Sequence, residues 1–411
     1  MNILHISGAN SKSGAGGAAL ITHNALLELG VKSKILFLAE ENSINDNIIS
    51  YQSISIVHKI KRKIVSLLER SPTWFYRNKG KQLFSTALFG LSLKSLEIFK
   101  WADIIHIHWA NHGFIDIAEM AKWNKPIIWT LRDMWAFTGG CHYAFECTKY
   151  IQTCGSCPSL KSKKSNDLST LVFRRKKKYL SKANIHWVAI SNWMKRRAEE
   201  SSICNGSSIP VIFSGIDTKI FHNLNSAEVR HYFNLPLNKK IILIGAADLT
   251  ENYKGIDFIT SVLKQISSDY VIATFGRGEI NSKIFAQQIF NFGYIESAIE
   301  LNKLYNVADL FFAPSIAEAF GKTIAEAQSC GVPVVGFRNT GPEDIIEHLK
   351  TGYLANYKDE KDLLKGFHFC LNTNFNKTYI REQAIKLFDI NVQAEKYIEL
   401  YDKCVAGADK E

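Results

Sequence analysis

A strand–helix–strand unit between residues 308 and 335 constrains the fold of this 411-residue chain more than any other segment. The apolar run Ala308–Ala313 is typical of a buried strand, and Pro314 stops it. A helix then opens near Gly321 and ends at Gly331, before a second apolar strand. Strands that alternate with helices in this way predict a parallel sheet covered by helices.

Two glutamates eight residues apart, Glu318 and Glu326, flank the start of this helix. We expect Glu318 in the loop at the carboxyl end of the first strand and Glu326 in the first helical turn. Unpaired amides and the positive helix end between them suit a phosphate, so the two carboxylates could hold sugars on either side of a pyrophosphate. The structural alternative is a capping box of Thr323 and Glu326, in which Glu326 only satisfies a backbone amide.

The residues after this helix carry a family resemblance. They are the runs Gly331–Val335, Thr340–Glu343 and Thr351–Tyr353. In this order they resemble the donor site of retaining glycosyltransferases of family 4, which have the GT-B fold. The resemblance covers nearly the whole chain, and it implies an α/β protein with two Rossmann-like doubly wound domains facing across a cleft.

Length and composition agree with a globular protein of two domains. A chain of 411 residues is long enough for two cores, and 46% hydrophobic with 22% charged residues is ordinary. The apolar runs are shorter than the roughly 18–20 residues needed to span a bilayer. The first residues lack a charged flank and a cleavage site, so we expect a cytoplasmic protein.

Strand and helix patterns alternate in both halves. The expected strands are Asn2–Ser7, Ser33–Ala39, Asp103–Trp109, Pro126–Leu131 and Asn184–Ser191, then Lys240–Gly245, Tyr270–Gly276, Leu310–Pro314 and Val332–Phe337. We expect an N-terminal, acceptor-binding Rossmann-like domain over residues 1–208 and a C-terminal, nucleotide-sugar-binding one over residues 209–390. The resemblance implies that a helix over residues 391–411 packs back on the N-terminal domain.

The net charge of +11 is concentrated in the first half, in basic clusters at residues 58–63, 161–164 and 174–178. Residues from about 55 to 100 are basic and apolar, which predicts a helical inserted arm. The interleaving of Ile60 and Ile64 with lysines is typical of an amphipathic helix on an anionic membrane surface, here the inner face. A solvated helix face is the alternative. The chain has no recognised nucleic-acid module, and we expect no nucleic-acid partner.

Four of the eight cysteines fall within seventeen residues: Cys141, Cys147, Cys154 and Cys157. In a cytosolic protein such a cluster favours a metal over disulfides. Cys154 and Cys157 have the spacing of a zinc knuckle, and we expect a structural zinc, with His142 able to replace one thiolate. Free thiols and an iron–sulfur cluster are the alternatives.

The glycine-rich run GAGGAA at residues 14–19 fits the dinucleotide pattern G-x-G-x-x-A, with Glu40 where a ribose-binding acid would lie. Six residues separate Ser7 from this run, however, whereas the dinucleotide fingerprint follows its strand directly. We interpret the run as a flexible turn before the first helix. Its residues Gly16 and Gly17 would let backbone amides approach the diphosphate of the donor or the acceptor.

The strand at residues 103–109 ends with His106 and His108, which share one face by alternation. We expect an exposed imidazole at His108, to which the resemblance assigns contact with the transferred sugar; the alternative is two core histidines. Arg132 and Asp133 end the next strand, where relatives usually have His-Asp. The arginine cannot act as a base but can hold an anion, and Asp133 would either orient it or meet an acceptor hydroxyl.

The resemblance also assigns the donor site. Lys254, followed by glycine, would neutralise charge on the leaving diphosphate. The family's preceding arginine is missing, and Arg277, at another strand end, would compensate. Glu318 would bind the transferred sugar and Glu326 the donor ribose. The amides that would hold the diphosphate belong to Phe320, Gly321, Lys322 and Thr323.

These observations predict a retaining hexosyltransferase that moves a sugar from a UDP- or GDP-linked donor to a hydroxyl of a glycan or lipid-linked oligosaccharide. Residues Thr130–Pro158 resemble a subgroup that acts in exopolysaccharide or O-antigen assembly. No cofactor is required for catalysis, because the lysine and the amides replace a divalent cation. A non-catalytic nucleotide-sugar-binding or assembly subunit and an NAD-dependent enzyme are the alternatives.

Overall fold

The computed structural model describes residues 1–40, 46–76, 80, 82–280 and 284–408. The chain forms two compact units: unit 1 is Met1–Ile212 with Gln393–Glu411, and unit 2 is Phe213–Val392. Each unit contains a parallel six-stranded sheet and helices. The predicted α/β fold of two Rossmann-like units is therefore confirmed.

The sheet of unit 1 has the order β3-β2-β1-β4-β5-β6. Its strands are β1 Asn2–Ser7, β2 Lys32–Phe37, β3 Ile48–Ser50, β4 Ile104–Trp109, β5 Ile127–Leu131 and β6 Ile185–Ala189. Its helices are α1 Gly14–Glu28, α2 Tyr51–Ile54, α3 Ile56–Arg70, α4 Glu97–Trp101, α5 Ile117–Met120, α6 Leu168–Leu180 and α7 Asn192–Glu200. Every residue of β5 is buried, as expected of a strand covered on both faces.

The sheet of unit 2 has the order β12-β11-β10-β7-β8-β9. Its strands are β7 Ile241–Asp248, β8 Val271–Arg277, β9 Gln288–Asn291, β10 Leu310–Phe312, β11 Val334–Phe337 and β12 Gly352–Ala355. The helices that follow α7 are α8 Ser226–Tyr232, α9 Ile256–Gln265, α10 Ala298–Asn306, α11 Lys322–Ser329, α12 Glu360–Asn372, α13 Lys377–Phe388 and α14 Ile390–Ala408. The apolar faces of α9 and α12 pack with this sheet into one core.

The two strand orders are equivalent, because in each unit the first strand lies beside the fourth. The chain winds outward in one direction from the first strand and in the other from the fourth. The reversal leaves a crevice at the carboxyl ends of these two strands, which is where doubly wound sheets bind ligands. In unit 1 the reversal lies between β1 and β4, and in unit 2 between β7 and β10.

Helix α14 crosses the boundary between the units, and from Gln393 onward it belongs to unit 1. Tyr397 and Tyr401 are fully buried. The hydroxyl of Tyr397 bonds Thr130 Oγ1 at 2.8 Å, and that of Tyr401 bonds His106 Nδ1 at 2.7 Å. These side chains attach the helix to β4 and β5.

The helical arm predicted from about residue 55 to 100 is wrong in its second half. Helix α3 covers its start, a 3-10 turn at Ser71–Phe75 follows, and helix resumes only at α4. The described residues between that turn and α4 form turns and extended chain, because they fold back on neighbouring loops: Ser85 N donates to Gly140 O, and Leu91 N donates to Gly113 O. None of the described helices has both the length and the hydropathy of a membrane-spanning segment.

Candidate active site

The loops after β7 and β10 touch at the reversal point of unit 2. Gly255 has a φ of 78°, and a Cβ there would lie 2.0 Å from the carbonyl oxygen of Pro314. The amide of Ile316 donates to the carbonyl of Tyr253 at 2.8 Å. Both the positive φ and the short distance to Pro314 exclude a residue with a side chain at position 255. This glycine therefore allows the two loops to meet.

This contact brings together Lys254 and Glu318. The ammonium of Lys254 donates to Glu318 Oε2 at 2.6 Å. Burial alone would lower the pKa of Lys254, but the carboxylate of Glu318 reverses that effect and the pKa is raised. The lysine is therefore a permanent cation at the carboxyl end of the sheet.

The amino end of helix α11 opens beside this ion pair. Gly321 caps the helix with a φ of 107°, and its carbonyl accepts from the amides of Ile324 and Ala325. The amides of Lys322 and Thr323 belong to the first turn, which has no carbonyl of its own helix to bond. Thr323 lines the same shallow depression as Lys254 and Glu318. A cation, a carboxylate and a positive helix end thus share one surface, which is suited to an anion that carries hydroxyl groups.

Glu326 lies in the second turn of α11, not in the first as predicted, because the helix starts at Lys322. It is buried, its Oε2 accepts from the hydroxyl of Tyr305 at 2.9 Å, and its Oε1 lies 3.4 Å from the ammonium of Lys322. The capping box of Thr323 and Glu326 does not form, since the cap residue is Gly321. Tyr305 was not identified from the sequence.

The two other donor-site candidates of unit 2 lie at the edges of this region. The ring of Phe320 is buried against Phe213 and Phe388, with centroids 6.1 and 5.5 Å away, so only its backbone can serve a ligand. Arg277 ends β8, next to β7, and its guanidinium lies over the ring of Tyr294 at 4.7 Å.

In unit 1, the predicted glycine turn is wrong: Gly16 and Gly17 belong to the first turns of α1, which begins at Gly14. The loop that precedes the helix folds back on it, and a Cβ on Gly16 would lie 1.9 Å from Asn10 O. Glu40 Oε2 accepts from the amide of Ser11 at 2.8 Å and so holds this loop. Glu40 is buried and its carboxylate holds this loop, so it is not placed to bind the ribose of a dinucleotide.

His108 is not exposed as predicted; 1% of its surface is accessible. The Nδ1 of His108 lies 3.0 Å from Arg132 Nη2. The Nε2 of His108 lies 2.9 Å from the Nδ1 of His5. Because arginine only donates, Nδ1 of His108 accepts, its Nε2 carries the proton, and His5 in turn carries its proton on Nε2. The structure thus shows a directed chain from Arg132 through His108 to His5, which the sequence did not indicate.

His106 continues this cluster beneath His108, with ring centroids 4.1 Å apart. Its two nitrogens bond Tyr401 and Thr130. Burial, followed by the charge of Arg132 and neighbouring imidazoles, lowers the pKa of His5, His106 and His108 well below the ordinary value. Their ligand atoms lie within 4.8 Å of one another. Both nitrogens of His106 and of His108 and the Nδ1 of His5 already bond protein groups, whereas the buried Nε2 of His5 has no hydrogen-bond partner among the described residues. Arg132 adds a positive charge beside the trio, which therefore does not fit a cation.

Asp133 bonds an indole and an imidazole just after β5. Its Oδ2 accepts from Trp109 Nε1 at 2.8 Å and contacts His142 Nδ1 at 2.7 Å. The other ring nitrogen of His142 lies 3.1 Å from Ser85 Oγ. Burial alone would raise the pKa of Asp133, but His142 and the donated hydrogen bonds lower it. Asp133 is thus an ionised residue that fixes an indole and an imidazole.

The four clustered cysteines form no disulfides, and they lie near one another, next to the fully buried Lys176. The sulfur of Cys154 accepts from Gly139 N at 3.2 Å. Burial raises the pKa of Cys141 and Cys154 to about 12 and lowers that of Lys176 to about 7. Among the described residues, the three ligand atoms close enough to share a metal are those of the histidine trio. The structural zinc stays a prediction.

Comparisons with solved structures identify the fold. Sucrose-phosphate synthase from Thermosynechococcus elongatus has a TM-score of 0.68 at 16% identity, covering 99% of both chains. Anabaena HepE in complex with UDP and glucose has a TM-score of 0.63 at 14% identity, covering 98% of this chain and all of that one. The fold is therefore that of the two-domain GT-B glycosyltransferases.

Sequence comparisons add one family model and one relative. Residues 238–372 match the family model described as glycosyl transferases group 1. The putative colanic acid biosynthesis glycosyl transferase WcaC of Escherichia coli K12 is 22% identical over 84% of this chain and 85% of its own length. The matched residues lie within unit 2 and include Lys254, Glu318 and α11.

Proposed function

We propose that this protein is a retaining glycosyltransferase of family 4 that moves a hexose from a UDP- or GDP-linked donor to a hydroxyl of a glycan or lipid-linked oligosaccharide. The observation that carries the proposal is the ion pair of Lys254 with Glu318 beside the first turn of α11. The likeness to WcaC and to HepE, named with colanic acid biosynthesis and with UDP, supports a role in surface polysaccharide synthesis.

In this mechanism the charge of the diphosphate is met by the ammonium of Lys254 and the amides of Lys322 and Thr323. These groups stabilise the negative charge that grows on the diphosphate as the bond to the anomeric carbon breaks. Because they supply the positive charge, the proposed reaction needs no divalent cation. The acceptor oxygen forms its bond on the face that the diphosphate leaves, and a diphosphate oxygen takes the acceptor proton, so the configuration is retained.

The two glutamates have separate roles. Glu318 accepts hydrogen bonds from the hydroxyls of the transferred sugar. Glu326 binds the donor ribose through Oε1, because Tyr305 holds its Oε2 and Lys322 lies at a looser 3.4 Å from Oε1. His108 has both ring nitrogens bonded to Arg132 and His5. We therefore assign it the role of holding Arg132 rather than the predicted contact with the sugar. Arg132 and Asp133 stay predictions for the acceptor side.

The test compares Lys254→Ala with Lys264→Ala, an exposed lysine late in α9. UDP- and GDP-sugars are first screened for a rise in melting temperature, since a ligand of the native state stabilises it. Turnover is then measured with the best donor and a lipid-linked acceptor. We expect the Lys254 variant to lose roughly 10²–10³-fold in kcat, as for loss of one charge-stabilising group, and the Lys264 variant to match the wild type.

Three outcomes contradict the proposal. A donor that binds but is never turned over with any acceptor indicates a non-catalytic binding subunit. Stabilisation by nicotinamide nucleotides but not by nucleotide sugars indicates an oxidoreductase. Equal kcat in the two lysine variants removes the assigned role of the ion pair.

A further inference from the structure

An apolar surface on unit 1 has no use in the proposed reaction. We call it the α3 surface, and it consists of Ile56, Val57, Ile60, Ile64, Leu67, Leu68, Trp74 and Phe75. Every one of these side chains is exposed, from 39% for Leu68 to 89% for Phe75. Large exposed apolar side chains are ordinary when scattered, but so many within one helix and its following turn form a contiguous patch, which marks an interaction site.

Helix α3 exposes its apolar side and buries its polar side, which is the reverse of a helix that covers a core. Its apolar positions recur every three or four residues and so form one stripe, and this stripe is the exposed side. The side that faces unit 1 is marked by Val65 and Glu69. The Glu69 carboxylate accepts from the amides of Thr86 and Ala87, and a Cβ on Gly113 would contact Val65 Cγ1 at 2.7 Å. Unit 1 therefore anchors the helix by its other face and leaves the stripe outside.

The charges on this helix have a single sign where they are exposed. Lys59, Lys61 and Lys63 are exposed, and Arg70 adds a fourth exposed cation. The one acidic residue of α3 is Glu69, which is buried. The apolar stripe is therefore bordered by cations and by no carboxylate of its own helix.

We propose that the α3 surface docks on an anionic phospholipid layer. The apolar stripe with Trp74 and Phe75 enters the boundary of headgroups and acyl chains, and the lysines lie at the phosphates. An apolar face bordered by cations is the arrangement of helices that lie in the plane of a membrane surface. A second copy of this chain is a poorer partner, because an isologous contact would bring the same lysines together.

The test is flotation of the purified full chain with vesicles, without any donor, so its result does not depend on the proposed reaction. Vesicles of neutral phosphatidylcholine are compared with vesicles that contain phosphatidylglycerol, at low and high salt. We expect binding to the anionic vesicles that weakens with salt, since screening shortens the range of the lysine charges, and a blue shift of tryptophan emission as Trp74 leaves water.

Matched variants distinguish binding through the α3 surface from non-specific hydrophobic adsorption to vesicles. The triple variant Ile60→Ser, Ile64→Ser, Leu67→Ser is expected to bind at least tenfold more weakly. The control triple variant Leu171→Ser, Leu237→Ser, Ile299→Ser removes equally exposed apolar side chains elsewhere and should bind as the wild type does. The variant Lys59→Glu, Lys61→Glu, Lys63→Glu should lose binding at low salt, because each basic residue near an anionic surface contributes about fivefold. Melting temperatures verify that every variant is folded.

Several results overturn the proposal. They are no binding to anionic vesicles, equal binding to neutral vesicles at all salt concentrations, and equal loss in the two serine variants. A wild type that is dimeric in solution, with the first serine variant monomeric, would assign the α3 surface to a contact between copies instead.

Discussion

Acidification is expected to destabilise unit 1 through its buried histidines. His5, His106 and His108 are held neutral, since burial lowers their pKa values well below the ordinary value of 6.5. In the unfolded chain the same imidazoles take up protons as the pH falls through about 6.5. Below that pH the unfolded state binds more protons, so the free energy of unfolding falls as the pH falls. The free energy of unfolding is therefore unaffected by these histidines above about pH 6.5. It falls progressively as the pH drops from about 6.5 towards their lowered pKa values in the folded state.

The size of the effect follows from this linkage. Between pH 7.5 and pH 5.5, a histidine that stays neutral in the folded state and titrates in the unfolded state costs about 1.4 kcal/mol. Three such residues cost about 4 kcal/mol, a large share of the roughly 5–15 kcal/mol that stabilises a typical domain. His23 and His112, whose pKa values burial lowers to about 4, act in the same direction.

Tryptophan fluorescence measures this unit selectively. All eight tryptophans lie between residues 74 and 193, within unit 1. Urea titrations followed by their emission at pH 7.5 and pH 5.5 give the two free energies of unfolding. In His106→Gln the difference between them should shrink by about 1.4 kcal/mol. A wild-type difference below about 1 kcal/mol, or the same difference in His106→Gln, would refute buried neutral imidazoles.

Two further predictions concern other parts of the chain. Tyr305→Phe removes the hydroxyl that holds Glu326 Oε2; it should weaken nucleotide-sugar binding about tenfold and lower the melting temperature, because a buried carboxylate oxygen loses its donor. Calorimetric titration that finds unchanged affinity contradicts the role of Tyr305. If the clustered cysteines bind zinc, elemental analysis should find one equivalent per chain that Cys154→Ser with Cys157→Ser abolishes and Cys370→Ser keeps; protein prepared without chelators and free of zinc contradicts that prediction.

The strands that the sequence predicted are those with long apolar runs, and the strands it missed lie at sheet edges. The missed strands are β3, β9 and β12, each three or four residues long. An edge strand pairs on one side only, and β9 is half exposed, with no buried residue among its four. Such segments have too few apolar positions for a periodic signal. Their pairing depends on the strand beside them, which is distant in sequence.

The candidate site was predictable where its residues follow strands. Lys254 and Glu318 end adjacent loops because the strand order brings β7 beside β10. Their partners in space were not predictable when they lay far away along the chain. Tyr401 reaches His106 across 295 positions, and His5 reaches His108 across 103. The same long-range contacts cover His108, whose position at a strand end had suggested exposure.

Helix α14 has a consequence for the order in which this protein can be made. Its tyrosines are the hydrogen-bond partners of Thr130 and His106, yet they are synthesised only after all of unit 2. During translation the first segment of unit 1, Met1–Ile212, leaves the ribosome before its hydrogen-bond partners have been made. The tyrosines of α14 follow that segment by about 190 positions. Unit 2 is continuous in sequence and can finish first. A nascent chain stopped before Gln393 should therefore bind chaperones through its unfinished first half while its second half is already folded.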